Sequence, residues 1–341
     1  MSLSKTAQQK AFIARVLSHS EQSNPEQPLQ TVGQGSAPVN IALSKYWGKR
    51  DTTLNLPMNG SVSISLPDLG TQTTIELVSG RTDSITLNRQ ELSVDDTFYQ
   101  RTCAYLDLFR PDNDSAFKVT TTNTVPTAAG LASSASGYAA LVLALDDLFG
   151  WRLSPNHLSL LARLGSGSAS RSLFKGFAQW HAGTQEDGMD SFAQGIDVNW
   201  HDLCIGLVKV DTRQKSVGST QGMQNTVHNC ELYQAWPQKA EKDKATIIDA
   251  IYHKDFTRLG ETAENNALAM HATMIASWPP LLYWQAESVS AMHTVWQLRQ
   301  SGIEVYFTMD AGPNLKLIMQ AQDRHKISDA FAGQIQIIEP F

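Results

Sequence analysis

Four short segments of this 341-residue chain carry residue types suited to chemistry on an anionic ligand. The first runs from Pro126 to Gly137, and every residue from 127 to 137 except Leu131 is small. Small residues let a backbone approach a ligand closely. The helix predicted to begin here offers unpaired N–H groups and a positive dipole end, which suits phosphate. Ser133 and Ser134 add hydroxyls that can donate to a phosphate or reach a metal. Tight helix–sheet packing, with the serines as caps, is the other reading of such a run. It is not a Walker A loop, because the glycine, four residues, Gly-Lys and Ser/Thr spacing is absent. The second segment, Gly165-Ser166-Gly167-Ser168-Ala169-Ser170-Arg171-Ser172, leads small polar residues into a predicted helix with an arginine inside. It lacks the third glycine of a dinucleotide fingerprint. A flexible linker is one reading. The flanking apolar helices and Arg171, whose planar fork suits a carboxylate or phosphate, favour a second anion cradle. The third segment packs Lys45, Tyr46, Trp47, Gly48, Lys49 and Arg50 together, and tryptophan beside glycine argues for an ordered loop over a solvated turn. The fourth, Asp310-Ala311-Gly312-Pro313-Asn314, sets a carboxylate at a strand end; alone this is ordinary turn chemistry. His253, His271 and His293 fall singly on helices and read as structural.

The elements that must position these segments follow from periodicity. Ser61–Leu66 alternates as a half-buried strand does, and Thr73–Val78 and Phe117–Thr121 read alike. Residues 131–149 form a predicted helix stopped by Gly150, and Ser154-Pro155 caps another that ends at Gly165. A buried strand is expected over Leu203–Val210, then helices at about 240–254, 256–275 and 281–300. Ile303, Val305, Phe307 and Met309 alternate on a strand that delivers Asp310 to its turn. The expected architecture is α+β in two lobes, 35–203 and 204–341. Residues 1–34 are expected to be a loosely attached extension: 5–17 can form a short helix, and Gly33-Gln34-Gly35-Ser36 is expected to break the order after it.

Composition narrows the class. Apolar residues make up 42%, enough for a sizeable core, and a formal charge of -6 disfavours general binding to nucleic acid or an anionic membrane. An anionic ligand must therefore be met by a few local cations. No window approaches 18 uninterrupted apolar residues, so no membrane span is expected. Three separated cysteines give neither a disulfide framework nor zinc spacing, and a reducing cytoplasm fits best.

Taken together, Ala37–Ala42 with Lys45-Tyr46-Trp47-Gly48-Lys49-Arg50-Asp51, Pro126–Ser134, Gly165–Ser172 and Met309–Asn314 resemble the diphosphomevalonate decarboxylase family. That family belongs to the superfamily of galactokinase, homoserine kinase, mevalonate kinase and phosphomevalonate kinase. The resemblance spans about 36–320. The Pro-x-x-x-Gly-Leu-x-Ser-Ser loop marks only the superfamily; the Lys-Tyr-Trp-Gly-Lys and Gly-Ser-Gly-Ser-Ala-Ser-Arg motifs are much more specific. Lys175 and Arg89 stand where glycine is usual, and residues 1–34 are outside the usual pattern.

The resemblance implies an N-terminal lobe like domain 2 of ribosomal protein S5 and a ferredoxin-like C-terminal lobe. It implies that ATP phosphorylates the 3-hydroxyl of (R)-5-diphosphomevalonate, after which phosphate and CO2 leave to give isopentenyl diphosphate. By similarity, Asp310, Lys45 and Arg171 are catalytic: Asp310 orients the hydroxyl and can accept its proton, Lys45 neutralises Asp310 or the moving phosphoryl group, and Arg171 anchors the carboxylate. Tyr46, Trp47, Gly48, Lys49, Thr220 and Met223 take the diphosphate end, with Ser166, Gly167, Ser168, Ala169 and Ser170 along the substrate. Asn123, Gly130, Leu131, Ala132, Ser133 and Ser134 cradle ATP, with Mg²⁺ near Ser133 and no dedicated protein metal site. A homodimer is implied. The rivals are a mevalonate 3-kinase, a phosphomevalonate decarboxylase and, from another class, a non-catalytic binding relative.

Overall fold

The computed structural model describes residues 4–124, 133–210 and 217–341. Helix α1 (Lys5–Leu17) is capped by Ser4, whose Oγ accepts from the Ala7 N–H at 3.3 Å. Its Phe12, Ile13, Val16 and Leu17 are buried in the same core as α3 (Ser133–Phe149) and α4 (Pro155–Gly165). The expectation of a loosely attached extension is therefore corrected. Four apolar residues at helical spacing dock the helix, although the rest of it is polar. The expected break at 33–36 is also corrected, because strand β1 (Val32–Ser44) runs straight through it. A Cβ on Gly35 would lie 2.2 Å from the Ala140 carbonyl oxygen of α3, so glycine is there for close strand–helix approach.

Strand β1 pairs antiparallel with the 19-residue β4 (Ser61–Ser79), from Val32 opposite Glu76 to Ser44 opposite Val62. Between them lie the short pair β2 (Lys49–Asp51) and β3 (Leu56–Pro57). The other edge of β4 takes β7 (Ser115–Asn123) along 71–79 and β8 (Phe177–Trp180) along 61–64. Strands β5 (Ser84–Leu87) and β6 (Gln90–Glu91) extend the sheet beyond β7, and β9 (Ala193–Ile196) extends it beyond β8. Helix α2 (Thr97–Leu106) joins α1, α3 and α4 on one face. Ser61–Leu66 is buried throughout and not half-buried as its alternation suggested. The predicted stop at Gly150 and the Ser154-Pro155 start are both observed: Gly150 has φ +65° and Ser154 Oγ accepts from the His157 N–H.

The second sheet has the order β11 (Val305–Met309), β12 (Leu315–Gln320), β10 (Leu203–Val208), β13 (Ile335–Ile338). Around it lie α5 (Ser219–Asn229), α6 (Trp236–His253), α7 (Phe256–Ile275), α8 (Ala286–Gln300) and α9 (Arg324–Ala330). Helix α5 was not expected. Residues 281–285, assigned to a helix from sequence, precede α8. One apolar cluster joins Ile41 and Ile64 of the first sheet to Ile205 and Ile318 of the second and to Leu259 of α7, so the two halves share a core. Among the described residues no helix is long and apolar enough to cross a membrane.

Candidate active site

The site forms where the ends of β1 and β11 meet. Lys45 follows β1, and its backbone N–H donates to Asn266 Oδ1 on α7 at 2.7 Å. Its Nζ donates to the Ala42 carbonyl at 2.8 Å and to Asp310 Oδ1 at 2.8 Å. The Asp310 turn is closed by the Gly312 N–H on the Asp310 carbonyl at 2.7 Å. The same carbonyl accepts from His271 Nε2 of α7 at 3.1 Å, which assigns the proton to Nε2. The histidine, read from sequence as structural, sits directly under the Asp310 turn and holds its backbone.

The second oxygen of Asp310 faces Lys316 Nζ at 3.3 Å. Sequence reading did not single out Lys316. The available signal was a lysine inside the apolar strand Leu315-Lys316-Leu317-Ile318-Met319. Burial alone raises the Asp310 carboxyl, but Lys45 and Lys316 outweigh it and hold the group well below the usual carboxylate range. Lys45 is pushed down to about 8 by burial, with Asp310 opposing and Lys316 and Arg171 adding to the fall.

Arg171 projects from the 3-10 helix Gly167–Leu173 and is 2% exposed. Its Nη1 donates to Ser61 Oγ and its Nη2 to Asn40 Oδ1 at 3.2 Å. Asn40 is fixed in turn by donating to the Ser168 carbonyl at 3.1 Å and to Ser172 Oγ at 2.7 Å. Burial lowers Arg171 to about 10, with Asp310 and Tyr46 opposing. Ser166 Oγ and Ser168 Oγ lie 3.2 Å apart. Ala169 and Ser170 are buried. Ser61 was not singled out, and Asn40, which opens the segment that runs to Asp51, was given no site role; nothing in their local sequence foretells that they share an arginine.

Tyr46 and Trp180 meet edge-on with centroids 4.8 Å apart, and Gly167 packs against both rings. The Trp47 carbonyl accepts from Tyr233 hydroxyl at 2.7 Å and from Trp236 Nε1 at 3.1 Å. Gly48 has φ +104°, and a Cβ there would lie 1.7 Å from the Tyr233 hydroxyl, so glycine is required twice over. Lys49 Nζ donates to Asn55 Oδ1 at 2.7 Å, and Asn55 donates to the carbonyls of Arg163 and Leu164 at 2.9 Å each. Burial, then Lys5, lowers Lys49 to about 8. Met223 of α5 is buried with Tyr46 and Trp47, whereas Thr220 is exposed in the first turn of that helix. Buried polar atoms rarely lack partners. Tyr46 Oη, Trp47 Nε1, Ser170 Oγ and Arg171 Nε are among the buried polar atoms of the described residues that have none.

At the proposed nucleotide end, Ser133 opens α3 and Ser134 is exposed in its first turn, which carries no acidic residue. An exposed helix start of this composition fits phosphate. Asn123 ends β7, with its N–H donating to Asn88 Oδ1 at 2.8 Å. Gly130, Leu131 and Ala132 lie outside the described residues. Among those described, no group of three His, Cys, Asp or Glu side chains could hold a metal.

Two family models match the chain. The diphosphomevalonate decarboxylase-like N-terminal domain covers 37–193, and the mevalonate 5-diphosphate decarboxylase C-terminal domain covers 205–339. Diphosphomevalonate decarboxylase mvd1 of Aspergillus fumigatus is 37% identical over 326 residues, covering 89% of this chain and 79% of its own. The crystal structure of mevalonate diphosphate decarboxylase from Staphylococcus aureus superposes with a TM-score of 0.86 at 38% identity, covering 91% of this chain and 96% of that one. A structure described as MDDEF in complex with MVAPP, AMPPCP and magnesium superposes with a TM-score of 0.84 at 40% identity, covering 90% and 96%. The two-lobed α+β class is the fold of these neighbours. From its two matched domains and its identity to these relatives over most of its length, the chain belongs to the diphosphomevalonate decarboxylase family.

Proposed function

We propose that the chain catalyses ATP-dependent decarboxylation of (R)-5-diphosphomevalonate to isopentenyl diphosphate, through phosphorylation of the 3-hydroxyl, in the mevalonate pathway of isoprenoid biosynthesis. The observation that carries this reading is the buried charge at Asp310. Three cations, Lys45, Lys316 and Arg171, act on one carboxylate, so the pocket is left cationic inside an acidic protein. That surplus suits a ligand bearing its own carboxylate. The names of the relatives, and the neighbour complexed with MVAPP, AMPPCP and magnesium, support the same reading.

ATP with Mg²⁺ supplies the phosphoryl group that makes the tertiary hydroxyl a leaving group. Asn123 at the end of β7 and Ser133 and Ser134 at the start of α3, with Gly130, Leu131 and Ala132 from the sequence between them, would hold it. Asp310 orients the hydroxyl. Held so far into its ionised form it is a weak proton acceptor, and its larger effect is to stabilise positive character at C3 as the C–O bond breaks. Arg171 spends one N–H of Nη1 on Ser61 and one of Nη2 on Asn40, and its unpartnered Nε–H is a donor for the substrate carboxylate. With its guanidinium already held by Ser61 and Asn40, Arg171 serves to align that carboxylate more than to neutralise the charge that must depart as CO2. Ser166, Gly167, Ser168, Ala169 and Ser170 line the substrate. Tyr46, Trp47, Gly48, Lys49, Thr220 and Met223 take the diphosphate end.

We read the chain as a cytoplasmic homodimer of two-lobed subunits, the first lobe ending at about 203 and including α1 and all of β1, the second 204–341. Three free cysteines suit a reducing compartment, and sedimentation tests the dimer. The function is tested by incubating the protein with ATP, Mg²⁺ and 5-diphosphomevalonate while following CO2, isopentenyl diphosphate and phosphate together. Equal release of the three is expected. ADP with a stable 3-phosphate would make it a kinase, and preference for 5-phosphomevalonate would make it the monophosphate enzyme. Binding without turnover would make it a non-catalytic relative.

A further inference from the structure

Lys316 is 1% exposed in β12, opposite Thr308 of β11 on one side and Leu207 of β10 on the other. The β11–β12 hairpin has two faces. Phe307, Met309, Leu315 and Leu317 enter the core beneath α8, whereas Tyr306 and Ile318 turn toward the first sheet. Period two puts Thr308, Asp310 and Lys316 on that second face. The Thr308 hydroxyl donates to the Ala42 carbonyl at 3.2 Å, the same carbonyl that holds Lys45. Besides Asp310 Oδ2 at 3.3 Å, the Lys316 amine reaches the Asn314 carbonyl at 3.3 Å.

Resting on the reading of function above, we propose that Lys316 is a positioning residue for the reaction: it holds Oδ2 of Asp310 while Lys45 holds Oδ1, keeping the carboxylate ionised, fixed in one rotation, and presenting Oδ2 to the substrate hydroxyl. Lys45 is the firmer anchor, with two contacts at 2.8 Å against two at 3.3 Å for Lys316. A carboxylate oxygen has two acceptor positions, so the loosely held Oδ2 has room for the hydroxyl. A buried ion pair is a poor source of stability, and an apolar side chain would satisfy this strand position equally well. A lysine whose amine meets the catalytic carboxylate is explained by what it does there. The charged and titratable groups facing the pair are Lys45 at the end of β1, Arg171 from the 3-10 helix and His271 from α7. His271, lowered to about 3 by burial and then by Lys45, stays neutral in the working range.

The test compares wild type with Lys316→Met, Lys316→Gln and Lys316→Arg, measuring kcat and KM for 5-diphosphomevalonate across pH. Methionine keeps the apolar stem and removes the burial cost, so the fold is retained; glutamine is a second neutral replacement. The two neutral variants are expected to lose about tenfold to a hundredfold in kcat with little change in KM. Their acid limb should lie above that of wild type, because one of the two lysines in contact with Asp310 is gone. Lys316→Arg should return the limb toward its wild-type position. A neutral variant with wild-type kcat and an unmoved acid limb would overturn the role, as would a fall in kcat that arginine leaves with the same shifted limb. If wild type itself releases no CO2 and isopentenyl diphosphate, the reading of function fails and this role goes with it.

Discussion

Lys45 and Asp310 are 265 positions apart in the chain and 2.8 Å apart in space. Each is fixed by groups from the other half of the molecule. Lys45 takes its backbone partner from Asn266 of α7, and Thr308, two residues before Asp310, donates to Ala42 of β1. The Lys45–Asp310 pair is therefore also a seam between the two sheets, and whatever displaces one sheet relative to the other separates the charges.

Asp310→Asn keeps the shape of the side chain and removes its charge. Turnover should fall by about 10²–10⁴-fold, the range for loss of a positioned acid–base or charge-stabilising group. KM for 5-diphosphomevalonate should change little, because Tyr46, Lys49 and Arg171 remain. Steady-state kinetics on the two parameters checks this, and near wild-type kcat would remove Asp310 from the chemistry.

Arg171→Lys retains a charge but loses the planar fork whose separate nitrogens serve Ser61 and Asn40. Both kcat and substrate affinity should suffer, with kcat/KM down by about tenfold or more. If only KM moved, Arg171 would be a binding residue with no part in aligning CO2 for departure.

The pH profile should have a basic limb. Lys45 and Lys49 both lose their protons near pH 8 in the free protein, so kcat/KM should fall as pH rises through that value. In the unfolded chain these amines hold their protons to about 10.5, so between about 8 and 10.5 the unfolded state binds more protons. The contribution of these two groups to stability therefore rises with pH in that window. The activity loss is expected to be titration, restored on returning to pH 7. Lys49→Arg should leave only the share belonging to Lys45, and a wild-type profile flat well past pH 8 would contradict both assignments.

Asn55 has φ +53° and holds Lys49 while tied to Arg163 and Leu164. Asn55→Gly keeps that backbone available and deletes the support. KM for the diphosphate substrate should rise about tenfold with kcat nearly unchanged, the pattern of lost uniform binding. An unchanged KM would mean that Lys49 needs no such brace.

Phe12 of α1 is 4% exposed, and the buried Arg163 guanidinium lies 5.0 Å from its ring centre. Phe12→Ala should cost about 3–5 kcal/mol in denaturant unfolding. A loss under about 1 kcal/mol would show that α1 adds little to the fold despite its burial.

Local sequence was sufficient wherever the governing interaction is itself local. Ser154 before Pro155, Gly150 after the apolar stripe of α3, and the alternation that carries Asp310 to the end of β11 each depend on neighbours within one turn or one strand. The four chemical segments were legible as residue types: two runs of small residues, a lysine–aromatic cluster and a carboxylate at a strand end. The contacts that hold the lysine–aromatic cluster, Arg171 and Asp310 together were not, because hydrogen bonds such as Arg171 to Ser61, 110 positions away, leave no local trace. The same holds for Gly35, a loop signal locally but a strand residue against α3, and for α1, whose four apolar residues gain their meaning only from the core they enter. Lys316 is the clearest case. A lone lysine in an apolar strand is ambiguous in sequence, and only the hairpin register, which sets it on the face of Asp310, makes it part of the site. The sequence by itself determined which charges the protein carries and the local elements that carry them. The tertiary structure decided which charges are buried together, because pKa and reactivity depend on desolvation and distance, and both are set by contacts between residues far apart in the chain.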